Sequence, residues 1–220
     1  MKKFVQDLIV SENITLNDQY FLLKVKSEEE LPPILPGQFA ELKVENSPST
    51  FLRRPISINF VDKQNNEVWL LIQMVGEGTR KLSLLNEGDL LNMIYPLGNT
   101  FSTPEDPAAE VLLVGGGVGI APLLFFGSEL ASNGFKCTFL MGGRSEANLL
   151  LLDEFKSYGK VFVTTEDGSA GEKGFVTHHS ILQNQQFDAI YSCGPTPMMK
   201  AVAAYAKVNN IFCEVSLENT

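Results

Sequence analysis

A change of rhythm near residues 100–110 constrains this chain more than any other feature. On its N-terminal side only short runs rich in Val, Ile, Leu and Phe recur, at residues 4–10, 20–25, 39–44, 56–61, 68–75 and 90–94. Turn formers such as Asn17-Asp18, Pro36-Gly37, Asn65-Asn66 and Glu87-Gly88-Asp89 separate them. Runs of this kind at this spacing predict an antiparallel barrel or sandwich, with one short helix at 79–85. On the C-terminal side, strand-like runs at 111–114, 136–141, 161–165, 189–192 and 211–215 alternate with helix-like stretches. The helices are expected before residue 131 and at 148–158, 177–182 and 197–208. That alternation predicts a parallel, doubly wound sheet. The polar segment Thr103-Pro104-Glu105-Asp106-Pro107 joins the halves, so a β-barrel domain is expected at 1–102 and an α/β domain at 103–220. Ligands of the second domain are expected at the carboxyl ends of its strands, in the cleft facing the barrel.

Composition excludes several function classes. With 44% hydrophobic and 20% charged residues the chain is globular, not disordered. Its 17 Lys and Arg stand against 26 Asp and Glu, a net charge of −9. An acidic surface argues against broad binding to nucleic acid or anionic membranes, while leaving room for a local basic patch on a phosphate. Cys137, Cys193 and Cys213 are too far apart in sequence for a CxxC-type metal site. Their odd number and wide spacing favour a reducing compartment over a disulfide framework. The start Met1-Lys2-Lys3-Phe4-Val5 briefly imitates a signal peptide, but Gln6 and Asp7 break the apolar run. No window approaches 18 apolar residues, so no transmembrane helix is expected. These features read as a soluble cytoplasmic protein, without internal repeats.

Five motifs carry candidate chemistry. Gly115-Gly116-Gly117-Val118-Gly119-Ile120-Ala121-Pro122 follows a strand and opens a helix. Glycines there let backbone approach a pyrophosphate, and the helix N-terminus offers amide donors and the positive dipole end. Ile120 departs from GxGxxG, and a merely tight strand-to-helix turn is the alternative. Arg53-Arg54-Pro55-Ile56-Ser57-Ile58 enters a strand, where adjacent arginines point to opposite faces, so at most one meets a given ligand. The alternative is a solvated edge with guarding charges. Val75-Gly76-Glu77-Gly78-Thr79-Arg80-Lys81 places Gly78 and Thr79 where amides and a hydroxyl can hold a phosphate, or where Thr simply caps a helix. Ser192-Cys193-Gly194-Pro195-Thr196-Pro197-Met198 puts Cys193 at a strand end, against a nicotinamide ring or as an ordinary buried thiol. Tyr95-Pro96-Leu97-Gly98-Asn99-Thr100-Phe101 leaves the barrel as a turn, or lines a ring system wedged between domains.

His178 and His179 are the only histidines and are expected at the surface or as helix caps. No Ser–His–Asp set and no paired carboxylates point to hydrolysis. Cys137 and Cys213 lie in apolar strands and read as core.

Taken in order, the barrel, RPxS, GxGT, PLGN, GGGxGxAP and CGP make the chain resemble the ferredoxin–NADP reductase superfamily over essentially its whole length. More narrowly it looks like the electron transfer subunits of bacterial dihydroorotate dehydrogenases. The residues that carry this are Leu52-Arg53-Arg54-Pro55-Ile56-Ser57-Ile58, Val75-Gly76-Glu77-Gly78-Thr79, Pro96-Leu97-Gly98-Asn99, Asp167-Gly168-Ser169, Gly174-Phe175-Val176-Thr177 and, above all, the stretch Cys213-Glu214-Val215-Ser216-Leu217-Glu218-Asn219-Thr220.

The resemblance implies a ferredoxin reductase-like fold, with FAD in the barrel and NAD(H) in the α/β domain. It assigns Arg54, Pro55, Ile56, Ser57, Leu71, Ile72, Gln73, Gly78, Thr79, Gly98 and Asn99 to FAD. It assigns Gly115, Gly116, Gly117, Gly119, Ala121, Pro122, Cys193, Gly194 and Pro195 to NAD, with Cys193 near the nicotinamide and no side chain acting as acid or base. Many superfamily members carry Tyr where Ile56 stands. In the family, Ser-Leu-Glu-Asn-Thr runs into a cysteine-rich loop that holds a [2Fe–2S] cluster. Those four ligands do not occur in this sequence, so no metal ligand is expected in it.

The implied partner is a catalytic subunit with FMN, in a complex of two subunits of each kind, and the implied pathway is pyrimidine biosynthesis. Two other readings remain open. One is a related reductase, such as a ferredoxin-dependent NADP oxidoreductase subunit or a flavin reductase, where Arg144 would favour a 2′-phosphate and Glu146 a ribose hydroxyl. The other is a scaffold relative without electron transfer.

Overall fold

The computed structural model describes residues 2–45, 47 and 49–217. Glu218, Asn219 and Thr220, the end of the family-like C-terminal stretch, lie outside the described residues. The chain divides into two units, Met1–Thr100 and Phe101–Thr220.

The first unit is one curled antiparallel sheet of seven strands: β1 (Phe4–Thr15), β2 (Tyr20–Lys26), β3 (Phe39–Leu42), β4 (Arg54–Ser57), β5 (Phe60–Asp62), β6 (Glu67–Gln73) and β7 (Leu90–Leu97). Their order across the sheet is β4-β3-β7-β1-β2-β6-β5. The single strand expected at 56–61 is therefore two strands at opposite edges of the sheet. The break falls at Ile58 and Asn59, where the backbone changes partner. Ile58 N–H donates to Gln38 C=O, and Asn59 N–H donates to Trp69 C=O. Two residues cannot span a flat seven-stranded sheet, because strands lie about 4.8 Å apart. The sheet must curl until β4 approaches β6, as it does. Inside the curl, Leu8, Phe21, Leu42, Ile58 and Ile72 are fully buried. The short helix α1 (Glu77–Leu82) follows β6, two residues earlier than its expected start.

The second unit is a parallel sheet of β8 (Glu110–Gly116), β9 (Lys136–Gly143), β10 (Lys160–Thr165), β11 (Glu172–Lys173), β12 (Ala189–Cys193) and β13 (Phe212–Ser216). The order is β11-β10-β9-β8-β12-β13. The chain builds outward from β8 through β9 to β11, then returns to place β12 on the other side of β8. The point of reversal lies between β8 and β12, where open α/β sheets bind ligands.

Helices α2 (Ala121–Ser132), α3 (Leu152–Lys156), α4 (Ile181–Asn184) and α5 (Thr196–Val208) connect the strands. The expected helix at 148–158 shrinks to five residues. Leu150 and Leu151 are buried ahead of it, and Leu151 takes a left-handed conformation (φ 55°), which an α-helix cannot contain. The two-residue β11 has no apolar run to announce it.

Candidate functional site

Each unit carries one cluster of the expected residues. In the first, Arg53 and Arg54 diverge. The Arg53 guanidinium donates to the Glu41 and Asn92 carbonyls at 3.2 Å and to Asn92 Oδ1 at 2.5 Å, tying β3 to β7. Arg54 turns the other way. Its Nε donates to Arg53 C=O and its Nη2 to Leu52 C=O, and among the described residues it meets no carboxylate. Its side chain lies over Gly78, where an added Cβ would stand 3.1 Å from Arg54 Cδ and 2.9 Å from Thr50 Cγ2. Thus β4 and the start of α1 meet through a glycine.

Thr79, 5% exposed, shapes that turn. Its hydroxyl accepts from the amides of Val75 (3.0 Å) and Gly76 (3.2 Å) and donates to Gly76 C=O. Gly76 has extended backbone, and a Cβ built on it meets nothing within 4 Å. An open Gly76, two residues before the glycine that Arg54 covers, and an arginine with no acid partner among the described residues fit a phosphate-bearing group. Glu77 in the same turn points away to Ser49 (2.5 Å) and Ser47 (3.2 Å), whose hydrogen bonds hold its carboxyl below the usual range.

Not every expected flavin residue presents its side chain. Leu71 and Ile72 are 1% and 0% exposed, so their side chains belong to the core. β5 pairs with Glu67, Val68 and Trp69 only, so among the described residues no strand pairs with the outer edge of β6 beyond Trp69. Pro55 is exposed, while Ile56 and Ser57 are half-buried. Gly98 (φ 82°) lies against the Phe39 ring, and Phe39 pairs with Ser57, which brings the Gly98-Asn99 turn to the far end of β4.

In the second unit the glycine turn and the Cys-Gly-Pro turn lie back to back at the point of reversal. Gly115 and Cys193 are partners in the β8–β12 ladder. A Cβ on Gly119 would fall 2.3 Å from Gly194 Cα and 2.8 Å from Cys193 C=O. Gly194 has φ 147°, and a Cβ there would strike the Gly116 backbone at 3.0 Å. A Cβ on Gly116 would in turn meet Met198 Sδ at 2.8 Å and Pro195 Cδ at 3.3 Å. These glycines are therefore demanded first by one turn's approach to the other. Gly117 (φ 55°) makes the bend into a 3₁₀ turn, Gly117–Ile120, which runs into α2 at the buried residues Ala121 and Pro122. Cys193 is 2% exposed. Parallel strands, a reversal of strand order and two tight turns at that point fit a dinucleotide.

Other candidates fall outside both clusters. Arg144 and Glu146 are exposed on the loop after β9. That loop is braced from the loop after β10, because Glu146 N–H donates to Ser169 Oγ (2.8 Å) and Ser169 Oγ donates to Asp167 Oδ1 (2.6 Å). The Ser169 bonds hold Asp167 below its ordinary range. His179, expected at the surface or as a cap, is instead buried, 6% exposed, one residue before Ser180, the N-cap of α4, and its Nδ1 accepts from Ile181 N–H at 3.0 Å. Burial lowers its pKa, with Glu172 acting in opposition. Burial pushes the Cys137 thiol up to about 12. Among the described residues no three His, Cys, Asp or Glu side chains gather as metal ligands, so these residues do not fit an iron–sulfur cluster.

Sequence reasoning missed the clasp of Ser102 on Glu214, in which Ser102 N–H donates to Glu214 Oε2 at 3.0 Å. Those residues are 112 positions apart, and no local pattern links them. Among the described residues no helix is long and apolar enough to cross a membrane.

Comparison with known proteins points one way. Residues 113–204 match the oxidoreductase NAD-binding domain family. A dihydroorotate dehydrogenase B (NAD(+)) electron transfer subunit from Shouchella clausii is 41% identical over 184 residues, 83% of this chain and 70% of that protein. The protein of the same name from Fusobacterium nucleatum is 35% identical over 208 residues, 90% of this chain and 78% of that one. Among solved structures, that of an NADH-dependent reduced ferredoxin–NADP oxidoreductase, described for flavin-based electron bifurcation, superposes with a TM-score of 0.85 at 29% identity. It covers 97% of this chain and 76% of that one.

Proposed function

The chain belongs to the family of dihydroorotate dehydrogenase B electron transfer subunits, and from that premise we propose that it is the FAD-bearing, NAD(H)-linked subunit of such an enzyme in pyrimidine synthesis. The observation that carries the reading is the pair of back-to-back turns at the reversal of a parallel sheet, in a chain of this family. When bound, FAD and NAD(H) supply the redox chemistry, hydride exchange with the nicotinamide and release of single electrons from the flavin.

The chain's own residues bind and orient. Arg54 meets phosphate charge, and Thr79 holds the Gly78 turn in shape. Leu71, Ile72 and Gln73 offer backbone along the edge of β6, while Pro55, Ile56, Ser57, Gly98 and Asn99 line the ring end. The Gly115 to Gly119 turn with Ala121 and Pro122 receives the NAD pyrophosphate. Cys193, with Gly194 and Pro195, sets the height of the nicotinamide as a positioning contact, and no side chain need carry a proton.

The partner in this reading is a catalytic FMN subunit, two of each forming a heterotetramer. The described residues do not fit the family's [2Fe–2S] group. Three cysteines that form no disulfide support a reducing, cytoplasmic setting.

The test is an anaerobic visible spectrum of the FAD-supplemented protein before and after NADH. Bleaching of the flavin bands is the expected result. Bands that persist with NADH would overturn the nicotinamide assignment and favour a scaffold. The likeness to the NADH-dependent ferredoxin–NADP oxidoreductase supports one second reading, a related reductase subunit. Bleaching by NADPH in preference to NADH would favour it.

A further inference from the structure

One side chain reaches both turns of the second unit, and the NAD reading leaves it unused. Met198 lies in the first turn of α5. Its Sδ lies 2.8 Å from a Cβ built on Gly116, and its Cε lies 2.9 Å from a Cβ built on Gly194. Neither glycine has a side chain, so the sulfur and its methyl group fill those two places and space the turns. The rest of Met198 packs on the core beside Val202 and Ala206, along the apolar face of α5. Val202 and Ala206 are 3% and 0% exposed, whereas Met198 is half-buried. The end of the stripe that touches both turns is therefore the end that solvent reaches.

A thioether within reach of solvent is open to oxidation by peroxide. Met93, Met141 and Met199 are shielded, at 0%, 2% and 6% exposure, and Met74 is half-buried like Met198. We propose that Met198 is a modification site, at which oxidation by hydrogen peroxide loosens the two turns and lowers their affinity for the dinucleotide. The inference rests on the NAD reading above. In the step, the O–O bond of the peroxide breaks and an S–O bond forms. Sulfur gives up two electrons, one oxygen atom stays on it as the sulfoxide, and the peroxide is reduced to water. An oxygen on that sulfur must either enter the contact with Gly116 or swing the side chain out of it, and both weaken the hold between the turns. It also turns an apolar contact into a polar one, with a negative oxygen beside the place proposed for the negatively charged pyrophosphate. Methionine sulfoxide reductases return the thioether, so the change is reversible.

The test treats the FAD-supplemented chain with hydrogen peroxide and then with dithiothreitol, which returns sulfenic acids and disulfides to thiols but leaves sulfoxides. Peptide fragmentation in a mass spectrometer should place one added oxygen on Met198 and none on Met199. Isothermal titration with NAD+ should then show affinity lowered about tenfold, within what one extra atom forced into a filled contact costs. Methionine sulfoxide reductases should restore it. Met198→Leu, nearly equal in volume, should give the same NAD+ affinity before and after peroxide. Oxidation of Met74 with Met198 left intact would overturn the site. Complete oxidation of Met198 with unchanged NAD+ affinity would overturn its effect. A loss in Met198→Leu as large as in wild type would place the sensitive group elsewhere and overturn it too. Where Met198→Leu itself fails to bind NAD+, the reductase step on wild type decides, and affinity that does not return overturns the proposal. If the untreated wild-type chain binds no NAD+, the NAD reading itself fails and this inference falls with it.

Discussion

Replacing Gly119 by Ala tests whether the two turns of the second unit are locked by backbone contact. The new Cβ would lie 2.3 Å from Gly194 Cα, 2.6 Å from Gly194 N and 2.8 Å from Cys193 C=O. Carbon atoms rest at about 3.5 Å or more, so the turns must separate by more than about 1 Å. No side chain can swing aside, since every atom met is backbone. Overpacking of this kind costs about 1–3 kcal/mol. Separation also strains the end of the β8–β12 ladder at Gly115 and Cys193, where each lost hydrogen bond costs about 1 kcal/mol. The total is about 2–4 kcal/mol, which for a chain of 220 residues lowers Tm by roughly 4–16 °C. Thermal unfolding followed by far-ultraviolet circular dichroism measures it. Gly76→Ala is the control, because its site is open and its backbone extended, so its stability should hold or rise by about 0.4–1 kcal/mol. A Gly119→Ala shift under about 3 °C would refute the backbone lock.

Further outcomes follow from other contacts. Arg54→Ala should weaken FAD by about 10- to 100-fold, the worth of one charge-assisted hydrogen bond, and Arg54→Lys should recover only part of it; equilibrium dialysis with FAD reads the change, and unchanged affinity would remove Arg54 from the site. Thr79→Ala removes the hydroxyl that accepts from two turn amides and should cost about 1 kcal/mol in thermal stability as well as FAD affinity, whereas Thr79→Ser should restore both. His179 carries a pKa lowered from 6.5 by burial, so the unfolded chain binds its proton more readily than the fold does. Its contribution is fully present above pH 6.5 and is lost as pH falls through that range toward the lowered value. Glu172, lowered from 4.5 by hydrogen bonds from Ser180, adds a loss of the same sign only below pH 4.5. Tm should therefore decline as pH falls below 6.5, and His179→Gln should flatten that slope; an unchanged slope would show that His179 is not the group responsible.

The layout of this fold was legible because each half writes its period into the chain. Short β-branched runs with polar turns fix the curled sheet, and strand–helix alternation fixes the parallel one. Errors fall where tertiary contacts override local pattern. The run at 56–61 looks like one strand because Ile56, Ile58, Phe60 and Val61 are all strand formers, and nothing local says that the pairing partner changes at Ile58 and Asn59. Helix α3 is short because Leu150 and Leu151 are drawn into the core, a demand set by the sheet and not by the leucines' own preference. Divergence of Arg53 and Arg54 was legible from strand alternation alone. Burial of Leu71 and Ile72 was not, since a residue can border a ligand by its backbone while its side chain fills the core.

The glycine turn shows why its departure from the usual dinucleotide pattern leaves a working geometry. In GxGxxG the last glycine permits close packing of helix on strand. Here that place is Ile120, 2% exposed, whose Cγ2 reaches within 2.7 Å of where a Cβ on Gly115 would stand. The missing side chain has moved from the helix to the strand, so helix and strand still approach closely, with the bulk on the other partner. Gly119 then serves a different contact, the Gly194 turn, and Gly194 returns the approach through Gly116. Three of the glycines that mark this sequence as a nucleotide binder are thus required by protein-to-protein packing. The same packing fixes the backbone at the end of β8, where the proposed reading seats the NAD pyrophosphate. The motif survives as a set of spacings, and which residue supplies each vacancy depends on what packs against it.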